Sequence, residues 1–90
     1  MLADEELSSW LTQHEPFLYS IAWSWFHRHG YDSSADDVEE AVAEAMYRLW
    51  RYRQTYEPRP GAVHPLETWI AVVTRSACYA TMRAWIGGAI

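Results

Sequence analysis

Apolar and small residues recur at spacings of three and four through Val38, Ala41, Val42, Ala45, Met46, Leu49 and Trp50, the periodicity that gathers side chains on one face of a helix. Ser34, followed three residues later by Asp37, resembles a capping box, so a helix is predicted from there to about Arg53. An earlier segment, Asp4 to His14, has Asp4 as an N-cap and Leu7, Trp10 and Leu11 as its apolar stripe. Glu15-Pro16 opens the next helix, because proline lacks an N–H and is tolerated in a first turn. That helix carries Phe17, Leu18, Ile21, Ala22 and Trp25 on one side and Tyr19, Trp23 and Phe26 around the other. It reaches about His29, where Gly30 stops it in the left-handed conformation. Tyr31 to Ser33 make a short polar connection. Pro58, Pro60 and Gly61 mark 54–64 as a loop, after which Pro65 and Glu67 open a last helix. Its stripe is Leu66, Trp69, Ile70, Val73, Ala77 and Ala80, and it is expected to run to about Ile86, before Gly87-Gly88. No alternating strand pattern or internal repeat interrupts the series. The expected fold is all-α, a compact bundle of about four helices.

Composition narrows this picture. Ninety residues suffice for a single helical domain over 1–90 with its core at about 7–86. Half the residues are apolar and 16% aromatic, enough burial to offset the entropy of ordering and far from a disordered composition. No apolar run approaches the roughly 20 residues of a membrane span, and the amino terminus is acidic where a secretory leader is basic. A cytoplasmic chain is expected. The lone Cys78 lies among alanines and is read as a small buried hydrophobe.

A net charge of -5 argues against a protein that grips duplex DNA by general electrostatics, since that affinity comes from cations displacing phosphate counterions. Charge is nevertheless segregated. Asp32 to Glu44 is acidic, and Arg48, Arg51, Arg53 and Arg59 follow, an order that suits the helix dipole whatever else it does.

Nothing in the chain points to an enzyme. His27 and His29 are two apart and face different sides of a helix, while His14 and His64 stand at unrelated positions, so no metal site is expected. Glu40 and Glu44 share a face, but position 47 is a tyrosine where carboxylate-metal bundles place histidine. Gly30, Gly61, Gly87 and Gly88 form no phosphate-binding turn. No catalytic residue and no cofactor is assigned.

The order Asp37-Val38-Glu39-Glu40, Glu44, then Tyr47-Arg48-Leu49-Trp50-Arg51 resembles the second conserved region of bacterial sigma factors, especially the extracytoplasmic-function group. Tyr56-Glu57-Pro58 with Gly61, Trp69-Ile70, Thr74-Arg75 and Arg83 continue the likeness, and Pro16-Phe17-Leu18-Tyr19 with Ile21-Ala22 resembles that family's first core helix. The match is collinear from about Leu7 to Arg83. It departs from the pattern at Ala43, Ser76 and Ala80, and at the end of the last helix, where Arg83 is followed by Ala84-Trp85-Ile86-Gly87-Gly88.

This resemblance implies two tasks. One is docking on a coiled coil of the clamp in the largest subunit of core RNA polymerase, for which Asp36, Asp37, Glu40, Glu44 and Arg48 are the candidate residues. Carboxylates on one helix face would orient such a basic partner; a solvated face without a partner is the bland alternative. The other is capture of the unpaired minus-ten element of promoter DNA, for which Tyr56, Arg59, His64, Trp69, Arg75 and Arg83 are candidates, with Tyr52 nearby. Aromatic surfaces and a few cations hold bases out of a stack. Trp69 also falls on the core stripe, whereas Tyr56 and Arg59 are expected to be exposed because they sit in the loop. No second helix-turn-helix domain that would read the minus-thirty-five element is present, which suggests a fragment of a longer factor or a reduced module. A rival reading is a sigma-like decoy that engages polymerase or an anti-sigma factor without melting DNA, its tail of Trp85, Ile86 and Ile90 offering an apolar surface.

Overall fold

The computed structural model describes residues 2–30 and 34–88, with side chains through Trp85. The expected connection at Tyr31–Ser33 and the tail residues Ile86 and Ile90 lie outside the described side chains. Three long helices, α1 (Asp4–Arg28), α2 (Ala35–Tyr52) and α3 (Pro65–Gly88), pack on one another, and a 3-10 turn (Arg53–Thr55) continues α2 toward the loop. Among the described residues there are three helices rather than four, because the two expected at the amino-terminal end are one kinked element. His14 leaves helical geometry at φ -125° and ψ 21°. Pro16 supplies the cause, since its ring removes the N–H that would bond back one turn and crowds the preceding carbonyl. The halves stay joined because the Trp10 ring meets His14 at 4.6 Å and Phe17 edge-on at 5.6 Å.

The helix ends follow their local chemistry. The Ser34 N–H donates to Asp37 Oδ2 at 2.9 Å and the Asp37 N–H donates to Ser34 Oγ at 3.2 Å, completing the anticipated capping box. Gly30 takes φ 67° just after α1, as a left-handed stop requires. Asp4, expected as an N-cap, is instead inside the first turn; Ala3 holds the cap position without a side-chain hydrogen bond. Gly87 and Gly88 do not end α3, which continues through Gly88.

The core lies where the three stripes meet. Leu7, Leu18, Ala22 and Phe26 from α1, Val38, Ala41, Val42, Ala45 and Leu49 from α2, and Ile70, Ala77 and Cys78 from α3 are buried. Each large apolar side chain among them contributes roughly 1.5–3 kcal/mol by leaving water. Trp50, assigned by spacing to the core stripe, is 41% exposed. Trp23 is likewise on the surface. Two threonines that the apolar pattern omits are buried, and each satisfies its hydroxyl by donating to the carbonyl four residues back: Thr74 to Ile70 at 2.7 Å and Thr81 to Ala77 at 2.8 Å. Cys78 is the expected buried hydrophobe, and burial pushes its thiol up to about 11.

Candidate functional site

Because Val38, Ala41, Val42, Ala45 and Leu49 turn inward, the opposite side of α2 presents Asp36, Glu40, Ala43, Tyr47 and Trp50, all exposed and spaced alternately by four and three. That spacing keeps them in one straight seam, as a helix needs to lie along another helix. The seam is acidic at its start and aromatic at its end. There the Arg51 Nη1 donates to the Tyr47 hydroxyl at 3.4 Å, and the Arg53 guanidinium stands 4.4 Å over the Trp50 ring.

Grooves run on both sides of the seam. Between α2 and α3, Ala43, Ala80 and Ala84 leave a space of about 500 Å³ beside Glu40, Glu44 and Thr81. Between α1 and α2, a second of about 360 Å³ is lined by Glu15, Tyr19, Glu39, Val42 and Met46, with Glu40 and Ala43 shared by both. Glu40 and Ala43 therefore form a crest between two depressions. Desolvation, followed by the charges of Glu39 and Glu15, raises the Tyr19 phenol above its ordinary value.

The five residues anticipated for polymerase docking are on α2 but do not act alike. Asp36 and Glu40 are exposed on the crest line. Asp37 is half-buried and bound into the capping box. Glu44 accepts from Arg48 Nε at 2.9 Å, and Arg48 reaches across to donate from Nη1 to Ser76 Oγ of α3 at 3.1 Å. Glu40 Oε2 accepts the Trp85 indole N–H at 3.2 Å. Glu40 and Glu44 are thus held in place by neighbours while remaining reachable from solvent.

A separate pocket forms where the loop meets α3. Tyr56, Glu57, Arg59, Ala62, Pro65, Thr68, Trp69 and Val72 enclose about 310 Å³. Gly61, at φ 82°, makes the turn that brings the loop back to α3. Of the six anticipated nucleic-acid residues, the structure brings Tyr56, Arg59 and Trp69 together here. The expected exposure of Tyr56 is corrected: it is 8% exposed, because its ring packs at 4.8 Å on half-buried Trp69 instead of projecting from the loop. Its exposure was read from the loop alone; a cross-contact of this kind leaves no periodic trace.

Arg59 and His64 are exposed, with His64 outside the pocket lining and its carbonyl accepting the Thr68 N–H at 3.0 Å and the Thr68 hydroxyl at 2.8 Å. Arg75 and Arg83 are exposed farther along α3. Thr68, Val72, Arg75, Tyr79 and Arg83 follow at spacings of three and four, so the pocket opens onto a row in which Tyr79 stands between two arginines. Arg83 lies 5.7 Å over the Tyr79 ring. Sequence reasoning passed over Tyr79 and Val72, although their spacing from Arg75 on the polar side of α3 was the signal that could have found them.

A family model described as sigma-70 region 2 matches residues 10–85. The chain belongs to that family. No curated protein and no solved structure matches it significantly. A sigma-70 region 2 domain is a non-enzymatic module of the transcription machinery, and membership implies RNA polymerase binding and promoter recognition in general. The all-helical architecture agrees with that assignment. Among the described residues of this sigma-70 region 2 domain, no group of histidine, cysteine and acidic side chains is arranged to hold a metal ion, and no helix is long and apolar enough to cross a membrane.

Proposed function

We propose that the chain is the polymerase-docking and promoter-melting domain of a sigma factor of the extracytoplasmic-function type, acting as one unit in the cytoplasm. The outward seam of α2 lies along the clamp coiled coil of the largest polymerase subunit. Asp36 and Glu40 meet basic side chains there, Tyr47 and Trp50 supply apolar contact, and Glu44 with Arg48 stiffens the flank. Asp37 serves by fixing the start of α2. The loop pocket and the α3 row then receive the unpaired minus-ten strand, Arg59, Arg75 and Arg83 following its backbone and Trp69 offering a ring edge, with His64 at the margin.

The observation that carries the docking half is the straight, exposed seam between two grooves, since helix-on-helix contact requires a crest and flanking depressions. Reversing Glu40 and Glu44 to arginine tests it. The double variant should retain full helicity and lose at least tenfold in affinity for core polymerase; unchanged affinity would remove the docking claim.

Two observations favour the rival reading of a sigma-like module that occupies polymerase or an anti-sigma factor without melting DNA. Tyr56, the aromatic best placed by sequence to hold a base, is packed against Trp69, and the chain carries a net charge of -5. Equal binding of promoter-like and scrambled single strands by the polymerase-bound chain would select that reading.

A further inference from the structure

Arg53 stands at the junction of three parts of the chain that are remote in sequence. Its carbonyl accepts the Leu2 N–H at 2.9 Å and the Tyr56 N–H at 3.4 Å, so one oxygen joins the amino-terminal segment to the first residue of the pocket loop. Its side chain forms an ion pair with Asp4 and covers the Trp50 ring at 4.4 Å. Leu2 is buried at 5% exposure, which anchors the segment in the core rather than leaving it to fray. Tyr56, hung from the same carbonyl, packs on Trp69 and forms a wall of the loop pocket.

We propose that Arg53 is a positioning residue for the loop pocket, and that the segment Leu2–Asp4, acting through Arg53, sets the placement of Tyr56 and with it the pocket's capacity for an unpaired base. The role in base capture rests on the function proposed above; the positioning itself does not. Without the Asp4 carboxylate the guanidinium keeps its Nη1 hydrogen bond to the Trp50 carbonyl but loses its tie to the amino-terminal segment, the 3-10 turn loosens, and the Tyr56 N–H is freed to exchange with solvent. The seam of α2 meets Arg53 at its last residue, Trp50, while Asp36, Glu40, Ala43 and Tyr47 lie on the preceding turns.

The test compares Asp4→Asn and Arg53→Ala with Glu5→Gln, which removes the same charge one residue away on an exposed position, and with Asp4→Glu, which restores it. Hydrogen exchange at Tyr56 is read beside exchange at Ile70 and Leu49 in the core. Asp4→Asn and Arg53→Ala should speed exchange at Tyr56 by roughly twofold to fivefold, the span of an exposed ion pair, with core amides unchanged. Glu5→Gln should behave as the unaltered chain and Asp4→Glu should recover most of the effect. In the complex with core polymerase, formed at saturating polymerase so that any change at the neighbouring seam residue Trp50 does not enter, affinity for a promoter-like single strand should fall by the same factor. Should the unaltered chain show no preference for promoter-like strands while Tyr56 exchange responds as stated, the function proposed above fails and the positioning role stands. Unchanged Tyr56 exchange in both Asp4→Asn and Arg53→Ala would overturn the positioning role.

Discussion

The indole N–H of Trp85 donates to Glu40 Oε2 at 3.2 Å, so the end of α3 is tied to the crest of α2. The same indole stacks on Phe26 of α1 at 5.8 Å and 23°. One half-buried side chain therefore closes one end of the bundle on all three helices. Replacing it separates the two contributions. Trp85→Phe keeps a ring over Phe26 and loses the donor, and because Glu40 is solvent-exposed the cost should stay below about 1 kcal/mol. Trp85→Ala also removes the packing and should cost roughly 1–3 kcal/mol. Urea unfolding of the two variants measures the difference.

Leu49 and Trp50 are neighbours with opposite duties. Leu49 is fully buried, and Leu49→Ala should destabilise the domain by about 2–5 kcal/mol through the cavity it leaves. Trp50 is exposed beneath Arg53, so Trp50→Ala should change stability by less than about 1 kcal/mol while weakening polymerase binding. Denaturation curves together with a polymerase-binding assay separate the two outcomes.

How far the sequence could be read is visible in this pair. Threes and fours correctly selected Val38, Ala41, Val42, Ala45 and Leu49 for the core, because burial in a helix is periodic. The same pattern extended to Trp50, which lies about 100° around the helix from Leu49 and so falls on the outward seam, where Arg53 covers its ring in part. Pro16 was legible as a break, but whether a break yields two helices or one kinked helix depends on Trp10 bridging His14 and Phe17, a contact that exists only after folding. The acidic face of α2 was readable as a face. Its bonds to Trp85 and, through Arg48, to Ser76 connect positions 45 and 28 residues apart and follow no local rule. Tyr56 failed for the same reason: loop membership predicts exposure, and packing on Trp69 overrode it.

Ser34→Ala breaks one arm of the capping box and exposes an unpaired N–H at the start of α2. A loss of about 1 kcal/mol is expected, read as a lower unfolding midpoint. Ser34→Asp should restore most of it, since a carboxylate also accepts that N–H and suits the positive end of the helix.

The Cys78 thiol is raised from 9.0 to about 11 by burial, which disfavours the thiolate. An acid whose folded pKa lies above its unfolded value favours folding below the unfolded value. Its contribution is therefore intact at pH 8 and is lost as pH climbs from about 9 toward about 11. Stability should decline across that window, and Cys78→Ala should flatten the part of the decline due to the thiol. A thiol reagent at pH 8 should label Cys78 slowly in the folded chain and rapidly in urea.

Loss of phosphate contacts should appear in salt dependence. Arg59→Ala and Arg83→Ala should each lower the slope of log affinity against log salt by about 0.7 for single strands, whereas Tyr56→Phe should leave the slope unchanged because its buried ring remains in place.

The account rests on the outward seam of α2 being the surface that polymerase covers, and contact mapping by photo-crosslinking tests this most directly. A benzophenone side chain placed at Tyr47 on the seam, and separately at exposed Trp23 on α1, is irradiated in the complex with core polymerase. The account predicts that position 47 attaches to the largest subunit and that position 23 yields little product. Attachment from 23 and none from 47, with the complex formed normally in both cases, would contradict it.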